Sequence, residues 1–379
     1  MGPLEGVRVL DLTRLIPGPY ASLVLSDLGA DVIKVEDRDQ GDYLRSLSGL
    51  GKGMFAALNR GKRSIALDLK VPGAIGLLYR LCASVDVLLE GFRPGVLARL
   101  GCAPADLCAK NPKLIVCSIS GYGQSGPFRD RAGHDIGYLA ISGALSRCGA
   151  SEVPSLPGVQ LADFLGGGQS AVVAILAALL ERARTGRGRH LDVAMAEGAT
   201  AFVLPAHGKL KASGEPEARG EDILSGVYPC YRVYRCKEGA IGLGALEPKF
   251  WARFCGAVEK PDWVSAQFDR ELTPEVDALF AGRNRDDWAA LLAPADCCAE
   301  AVLELHELEA HPQHAARDLF LDAGPGGPRV LRTLPALVPT RDLPHTAAPE
   351  QGAQTDAVLR ELGQVTDAEL ASLRAAGVI

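Results

Sequence analysis

The sequence lacks the closely spaced cysteines and histidines that typically bind metal ions. None of its ten cysteines forms a C-x-x-C pair, and none of its seven histidines belongs to an H-x-x-x-H pattern. Cys82, Cys117 and Cys255 lie inside apolar runs, which is typical of reduced core residues rather than of a disulfide framework. We therefore predict neither disulfides nor a metal site.

Segments for export or membrane insertion are also missing. Residues 1–5 show neither the basic nor the apolar region of a signal peptide, and the longest apolar run, residues 171–180, is shorter than a bilayer requires. The formal net charge of −6 at pH 7 argues against nucleic acid or an anionic membrane as the main partner. We expect a cytoplasmic protein that binds neither.

The first half of the chain shows a regular alternation of strand-like and helix-like segments. The strand-like patterns fall at residues 7–12, 31–36, 64–69, 86–92 and 114–118. Strands that alternate with helices pair in parallel and form a doubly wound α/β domain. Its functional site is expected at the carboxyl edge of the sheet.

From about residue 225 the pattern changes, and residues 228–235 and 240–246 alternate as antiparallel strands around a turn. Helical patterns follow, so we predict a smaller α+β domain; at 379 residues two domains are the default. Residues 324–349, rich in glycine and proline, are predicted to form a connector. The last predicted helix, residues 366–375, has little core of its own and is expected to pack on the first domain.

Residues 121–126 follow a strand and match G-x-G-x-x-G, but they do not predict a dinucleotide site. Pro127 and the charged residues 129–131 stand where a helix should open, and the acidic residue that would bind a ribose hydroxyl is missing. We predict instead a flexible loop that lines the site. The sequence also has no Walker A loop, which argues against ATP chemistry.

Asp163 is the strongest candidate for chemistry. A structural interpretation is available, because Asp is a preferred N-cap residue of helices. The three glycines at 166–168 weaken a helix start, however, and are expected where another backbone or a ligand approaches closely. The positive end of the predicted helix would keep Asp163 ionised, and N–H groups after it could stabilise an enolate oxygen.

His134 and Glu247 are the other two catalytic candidates. His134 lies between Gly133 and Asp135 at a predicted helix start, where a neutral imidazole suits a general base; an ordinary loop histidine is the structural alternative. Glu247 precedes Pro248, which opens a helix, and is most simply a solvent-exposed carboxylate of a first turn. It could instead orient His134.

Cationic residues cluster on consecutive loops of the predicted α/β domain. Arg60, Lys62 and Arg63 precede one strand, and Arg93 and Arg99 follow the next. One or two such charges usually form a solvated surface patch. Several on neighbouring loops predict binding of a phosphorylated nucleotide such as coenzyme A.

The chain resembles the family III CoA-transferase and alpha-methylacyl-CoA racemase superfamily over nearly its whole length. The motifs that carry the resemblance are Leu-Glu-Gly-Val-Arg-Val-Leu-Asp-Leu at 4–12, Gly-Ala-Asp-Val-Ile-Lys-Val-Glu at 29–36, Asn-Arg-Gly-Lys-Arg-Ser at 59–64, Glu-Gly-Phe-Arg-Pro-Gly at 90–95, Gly-His-Asp at 133–135, Leu-Ala-Asp at 161–163 and Gly-Ala-Leu-Glu-Pro at 244–248. Each motif is weak alone, but the set is specific.

The resemblance implies a fold and a set of domain boundaries. A large Rossmann-like domain would be built from both chain ends, residues 1–200 and 328–379. Residues 201–224 would form a linker, and residues 225–327 the small α+β domain. Two such subunits would interlock as a homodimer.

The resemblance also implies acyl-CoA thioesters as substrates and no cofactor beyond the CoA moiety of the substrate. Racemases of the superfamily use a His, an Asp and a Glu that match His134, Asp163 and Glu247. Further residues match positions that contact coenzyme A in the racemases, namely Arg38, Arg99, Asp135 and Tyr138.

Three functions follow as hypotheses. The first is a racemase of 2-methylacyl-CoA thioesters in lipid metabolism, with proton transfer at the carbon next to the thioester by His134 and Asp163. The second is a CoA-transferase that moves CoA between carboxylic acids, with Asp163 as nucleophile in a mixed anhydride. Because transferases need only the Asp, the presence of His134 and Glu247 favours the racemase. A catalytically silent acyl-CoA binder is the third.

Overall fold

The computed structural model describes residues 2–49, 51–149, 152–322, 329–333 and 346–379. The chain divides into two compact units. The large unit comprises Met1–Ser142, Gly158–Phe202 and Pro312–Ile379, and the small unit comprises Gly143–Pro157 and Val203–His311.

A six-stranded parallel sheet forms the centre of the large unit. Its strands are β1 (Arg8–Asp11), β2 (Asp31–Glu36), β3 (Arg63–Ala66), β4 (Val87–Glu90), β5 (Ile115–Ser120) and β6 (His190–Ala194), in the order β3-β2-β1-β4-β5-β6. The inner strands are apolar and buried on both faces, as parallel strands covered by helices require. This order is the doubly wound one, with its switch point between β1 and β4. The predicted Rossmann-like fold is confirmed.

Helices cover this sheet and supply most of the core of the large unit. They are α1 (Pro17–Asp27), α2 (Tyr43–Ser46), α3 (Gly51–Asn59), α4 (Ala74–Ala83), α5 (Val96–Arg99), α6 (Pro104–Lys110), α7 (Asp135–Ile141), α8 (Ser170–Thr185) and α9 (Met195–Thr200). The C-terminal part adds α14 (Pro312–Ala316), α15 (Thr355–Glu361) and α16 (Asp367–Ala375). Leu370 and Val378 belong to the same buried cluster as Leu10 and Leu88, so the last helix packs on the large unit, as predicted.

A π-helix, Ala162–Gln169, precedes α8 where the sequence predicted an ordinary helix start. Its glycines are explained by close backbone packing rather than by a ligand. A Cβ added to Gly166 would meet the carbonyl oxygen of Met195, and one added to Gly198 would meet the carbonyl oxygen of Gly166. The π-helix and α9 therefore cross at a distance that only glycine permits.

The expectation about apolar runs needs correction. The continuous helix Ala162–Thr185 has 24 residues, and its most apolar 18-residue stretch has a mean hydropathy of 1.6, so by length and composition it is long and apolar enough to cross a membrane. The core helix of a soluble protein passes the same test. In this helix 39% of that stretch is buried, including Ala171, Val172 and Ile175, whereas Val173 and Leu180 are exposed.

The small unit contains a three-stranded antiparallel sheet and a compact aromatic core. Its strands are β7 (Tyr231–Arg235), β8 (Ala240–Gly244) and β9 (Ala299–Ala301), and its helices are α10 (Leu204–Ser213), α11 (Pro248–Ala257), α12 (Thr273–Ala281) and α13 (Arg285–Leu292). Tyr234, Phe254 and Phe280 stack on one another beside the buried Trp251 and Trp288. The predicted α+β character is therefore present.

The unit boundaries differ from those expected at three places. The predicted linker 201–224 contains α10, and Gly143–Pro157 joins the small unit, where Arg219 Nη1 donates to the carbonyl oxygen of Ser146 at 3.4 Å. The hairpin of β10 (Phe320–Asp322) and β11 (Arg329–Leu331) belongs to the large unit, because Arg60 donates to the carbonyl oxygen of Leu331 at 3.1 Å. Most of the predicted connector 324–349 lies outside the described residues.

Candidate active site

The starts of α7 and of the π-helix are joined by one hydrogen bond. His134 is the N-cap residue of α7, with an extended backbone (φ −135°) and an exposed side chain. The next residue, Asp135, accepts a hydrogen bond of 2.9 Å from the backbone N–H of Asp163 through its Oδ1. His134 and Asp163, far apart in sequence, are thus brought onto adjoining turns of the large unit.

Asp163 carries a carboxyl group with a strongly shifted pKa. Burial raises its pKa to about 7, and the nearby carboxylate of Asp135 adds to the rise. The expectation that the helix end would keep Asp163 ionised is therefore wrong, because desolvation and a like charge outweigh the dipole. A carboxyl group that titrates near neutrality can act as either acid or base.

The hypothesis that N–H groups after Asp163 bind an enolate oxygen also needs correction. The N–H of Asp163 donates to Asp135, and the N–H of Phe164 donates to the carbonyl oxygen of Gln160 at 3.0 Å. In the first turn of α7, the backbone N–H groups of Asp135 and Ile136 have no acceptor among the described residues.

Tyr138, predicted to contact CoA, is buried beside the same carboxylates. Burial, Asp163 and Tyr122 raise the pKa of Tyr138 to about 12, while Arg93 opposes the rise. Arg93 and Asp163 are therefore both close enough to shift the pKa of the Tyr138 hydroxyl. The predicted CoA residues Asp135 and Tyr138 therefore lie beside Asp163, and Arg93 lies within electrostatic range of Tyr138.

Tyr122, in the glycine-rich loop 121–126, is a residue of the site that sequence reasoning missed. Its ring meets the ring of Tyr138 edge to face at 5.2 Å between centroids. A Cβ on Gly133 or Gly137 would lie 2.8 or 3.2 Å from the Tyr122 hydroxyl, so the loop lies against the start of α7. The G-Y-G sequence signalled this close packing, because a tyrosine between glycines has room to lie on backbone.

A cavity of about 280 Å³ opens at the carboxyl edge of the sheet, among the ends of β1, β2, β3 and β4. Arg14 Nη1 donates to the Tyr43 hydroxyl at 3.0 Å, and its guanidinium carbon lies 5.7 Å from the centroid of the Phe92 ring. Leu12 and Leu69 add apolar surface. A cation between aromatic rings at a switch point suits the planar base of a nucleotide. Sequence reasoning missed Arg14, Tyr43 and Phe92.

Three of the predicted CoA cations have exposed side chains at this edge of the sheet. Arg38 follows β2, and Arg93 and Arg99 follow β4. Arg38 Nε lies 3.0 Å from a carboxylate oxygen of Asp39, and Arg99 reaches the turn at Gly95. These positions are compatible with phosphate binding.

Arg60, Lys62 and Arg63 behave differently from the prediction. Arg60 is buried and forms a two-bond pair with Asp27, and Lys62 is buried against Asp11 at 3.3 Å. Arg63 bonds to the carboxylate of Asp31 at 3.0 Å. Their charges are neutralised within the protein, so we no longer assign them to CoA.

Glu247 lies in the small unit, whereas His134 and Asp163 lie in the large unit. It is the exposed N-cap residue of α11. Burial and the Glu247 carboxylate raise the pKa of Cys298, which lines a cavity of about 940 Å³ in the small unit. Glu247 therefore stands near that cavity.

A metal centre is not indicated in the part of the chain that the structure describes. No group of three or more His, Cys, Asp or Glu residues there could hold a metal ion. The ionisable groups of the candidate site are carboxyl, imidazole and phenol groups.

The fold is that of an α/β enzyme with a candidate site at the carboxyl edge of a doubly wound sheet. The chain belongs to CoA-transferase family III, whose sequence profile matches residues 4–355. It is 39% identical to the mouse alpha-methylacyl-CoA racemase over 95% of this chain and 93% of that protein. It is 35% identical to the mouse succinyl-CoA:glutarate CoA-transferase over 77% and 70% of the two chains.

A solved structure agrees with this assignment. The crystal structure of a CAIB/BAIF family protein from Brucella suis superposes with a TM-score of 0.85 at 30% identity, covering 95% of this chain and 99% of that one. The resemblance drawn from the sequence motifs is thus confirmed.

Proposed function

We propose that this enzyme is a racemase of 2-methylacyl-CoA thioesters. The observation that carries the proposal is the hydrogen bond from Asp163 to Asp135, which joins a carboxyl group of pKa about 7 to the turn that bears His134. The similarity to the mouse racemase supports it over most of the chain.

The thioester acidifies the carbon next to it, and inversion there needs two groups on opposite faces. One of His134 and Asp163 removes the proton while the other returns one. Asp163 suits both roles, since its carboxyl group is neither always ionised nor always protonated near pH 7. The N–H groups of Asp135 and Ile136 would stabilise the enolate oxygen. Glu247 is kept as a third catalytic residue on the family resemblance.

Coenzyme A would bind at the carboxyl edge of the large unit. The cavity beside Arg14 and Phe92 would receive the adenine, and Arg38, Arg93 and Arg99 would pair with its phosphates. The proposed activity uses no cofactor beyond this CoA moiety.

Incubation of the enzyme with a 2-methylacyl-CoA in deuterated water tests the proposal. Wild-type enzyme should wash deuterium into the carbon next to the thioester, and His134→Ala should reduce this exchange by about a hundredfold or more, the range expected of a general base. Exchange at the wild-type rate in the variant would refute the two-base mechanism. His207→Ala, at an exposed histidine of α10 in the small unit, serves as the control.

A CoA-transferase is the second candidate, and the similarity to the mouse transferase favours it. Asp163 would then attack the thioester carbonyl, forming an acyl–aspartyl anhydride and releasing the CoA thiolate. The thiolate would attack the aspartyl carbonyl and release the donor acid, leaving an aspartyl-CoA thioester. The acceptor carboxylate would attack this thioester to give a second anhydride, and the released thiolate would take the acceptor acyl group and regenerate Asp163.

Hydroxylamine should trap the acyl group on Asp163, and a free-acid acceptor should take up CoA with ping-pong kinetics. His134→Ala would keep substantial activity in this case. Neither exchange nor transfer, with tight CoA binding, would indicate a silent acyl-CoA binder.

We further propose that the enzyme acts as a homodimer in the cytoplasm, in lipid metabolism. Exposed apolar side chains support the dimer: Leu165, Val173 and Leu180 are 43%, 59% and 65% exposed along one side of the π-helix and α8. A second copy of the chain would cover them. Light scattering during size-exclusion chromatography should give twice the 39.9 kDa of the chain; a monomer would contradict the proposal.

A further inference from the structure

Glu90 is a buried carboxylic acid that the proposed mechanism does not use. It is the last residue of β4 and is 4% exposed. Its register partner in β5 is Ser118, and the partner of Ser118 in β6 is Asp192. Because paired residues of neighbouring strands point to the same face of a sheet, these three side chains form a row across it.

The carboxylate of Glu90 holds the loop that follows β4. Its Oε2 accepts a hydrogen bond of 2.8 Å from the backbone N–H of Phe92. The ring of Phe92 lines the 280 Å³ cavity beside Arg14, and the next residue is Arg93, one of the proposed phosphate ligands. Glu90 therefore fixes the backbone on which two ligand-side residues stand.

Ser118 faces Glu90 across the sheet and also contacts the edge strand. Its Oγ lies 2.9 Å from Nε2 of His190 in β6, and its hydroxyl lowers the pKa of Glu90. Ser118 therefore lies between the carboxyl group of Glu90 and the imidazole of His190.

The surroundings of Glu90 disfavour its charged form. Burial raises its pKa to about 7 and Asp192 adds to the rise, whereas the bonds from Ser118 and the loop amide lower it. The other titratable groups around it are Cys102, Cys117 and, through Ser118, His190. A buried polar group is costly. The contacts that an apolar side chain could not make here are those to Ser118 and to the loop.

We propose that Glu90 is a positioning residue for CoA binding, which holds Phe92 and Arg93 in the conformation that receives the nucleotide. The inference rests on the proposed function for its ligand. Glu90 acts through the backbone N–H of Phe92, so its loss weakens binding of CoA more than it slows proton transfer at Asp163.

Three variants test this role by calorimetric titration with free CoA and by the saturation kinetics of deuterium exchange. Glu90→Ala removes the acceptor, and we expect the Kd for CoA and the KM to rise about tenfold, the effect of roughly 1.4 kcal/mol, while kcat changes less than about threefold. Glu90→Gln retains an acceptor oxygen and should restore binding to within about threefold. Ser118→Ala leaves the bond to Phe92 and should resemble Glu90→Gln.

Amide hydrogen exchange gives a readout that does not need activity. In Glu90→Ala, the peptide containing Phe92 should exchange faster, while the loop at Gly121–Gly126 should not change. If Glu90→Ala does not fold, Glu90→Asp, which shortens the side chain by one methylene, replaces it with the same expectation. Wild-type CoA affinity in the variant that folds would overturn the inference. Wild-type protein that does not bind CoA would refute the proposed function, and the inference with it.

Discussion

Asp11 and Asp163 are both carboxylic acids in the interior of the large unit, but their surroundings act on them in opposite ways. Burial alone would raise the pKa of Asp11, but Lys62, Lys34 and the hydroxyls of Ser22 and Thr13 hold it below its usual value. Asp163 meets a second carboxylate instead, and its pKa rises to about 7. A buried carboxylate with cationic partners, such as Asp11, is a structural group. A buried carboxyl group beside a like charge, such as Asp163, is available for chemistry.

The structural group also explains why the motif Asn-Arg-Gly-Lys-Arg-Ser at 59–64 is not a phosphate site. Lys62 donates to Asn59 at 2.8 Å and to the carbonyl oxygen of Pro19 at 3.0 Å, in addition to its pair with Asp11. Lys34 donates to the carbonyl oxygen of Thr13 at 3.0 Å. These bonds hold the chain between β1 and α1, where Arg14 lines the 280 Å³ cavity.

The largest effect on stability is expected from removing a cationic partner of Asp11. Lys62→Met leaves Asp11 buried with one cation fewer, which should lower the free energy of unfolding by about 3–5 kcal/mol. Urea unfolding followed by circular dichroism measures this value. The double variant Asp11→Asn/Lys62→Met should recover at least about 1 kcal/mol of it; strict additivity would show that the two groups do not interact.

The carboxyl group beside a like charge should respond in the opposite direction. Asp163→Asn removes a carboxylate that burial disfavours, so the variant should be more stable than wild type at pH 8, by at most about 4 kcal/mol for a pKa raised from 3.8 to about 7. Below pH 3.8, Asp163 of the wild type is protonated in both the folded and the unfolded state. The stability that this proton contributes is lost as the pH rises from 3.8 to the folded pKa of about 7, so the difference in stability between the two proteins should vanish near pH 3.

Thermal unfolding of both proteins at pH 3 and pH 8 checks this sign. Asp367→Asn is the matched control, since the Asp367 side chain is 86% exposed in α16. An Asn variant less stable than wild type at pH 8 would contradict the assignment of Asp163 as an electrostatically unfavourable group. Its catalytic activity should be lost in either case.

The smallest effect tests the like charge itself. Asp135→Asn keeps an oxygen that can accept the N–H of Asp163 but removes the negative charge, so the pKa of Asp163 should fall. In the direction in which Asp163 acts as base, the exchange rate falls as the pH drops through about 7. The variant should move this limb to lower pH by about one unit at most. An unmoved limb in the pH–rate profile would assign the rise to burial alone.

Much of the large unit could be predicted because its signals are local. The segment Asp31–Glu36 gives a strand with the predicted bounds, and Thr366 caps the last helix through a capping box with Glu369. Asp163 and His134 stood out for the same reason, since each lies at a helix start. The π-helix was missed, because the crossing of Gly166 and Gly198 depends on two segments that only the fold brings together.

The predictions for Arg60 and Lys62 failed for a comparable reason. Arg60 and Lys62 look like surface residues in a glycine-containing basic loop, and their partners Asp27 and Asp11 are 33 and 51 positions away. Their burial follows from β3 pairing next to β2, which a single sequence does not state. Arg14 was missed for the same reason: its aromatic neighbours are Tyr43, at the start of α2, and Phe92, after β4.

The contact of Gly166 with Gly198 sets a limit for protein engineering. A directed change of acyl preference would have to come from side chains around the pocket, since the crossing of π-helix and α9 has no spare volume in which to shift the backbone. Even alanine at either position would push the segment that carries Asp163. Mutant libraries should therefore keep both glycines fixed and vary their neighbours.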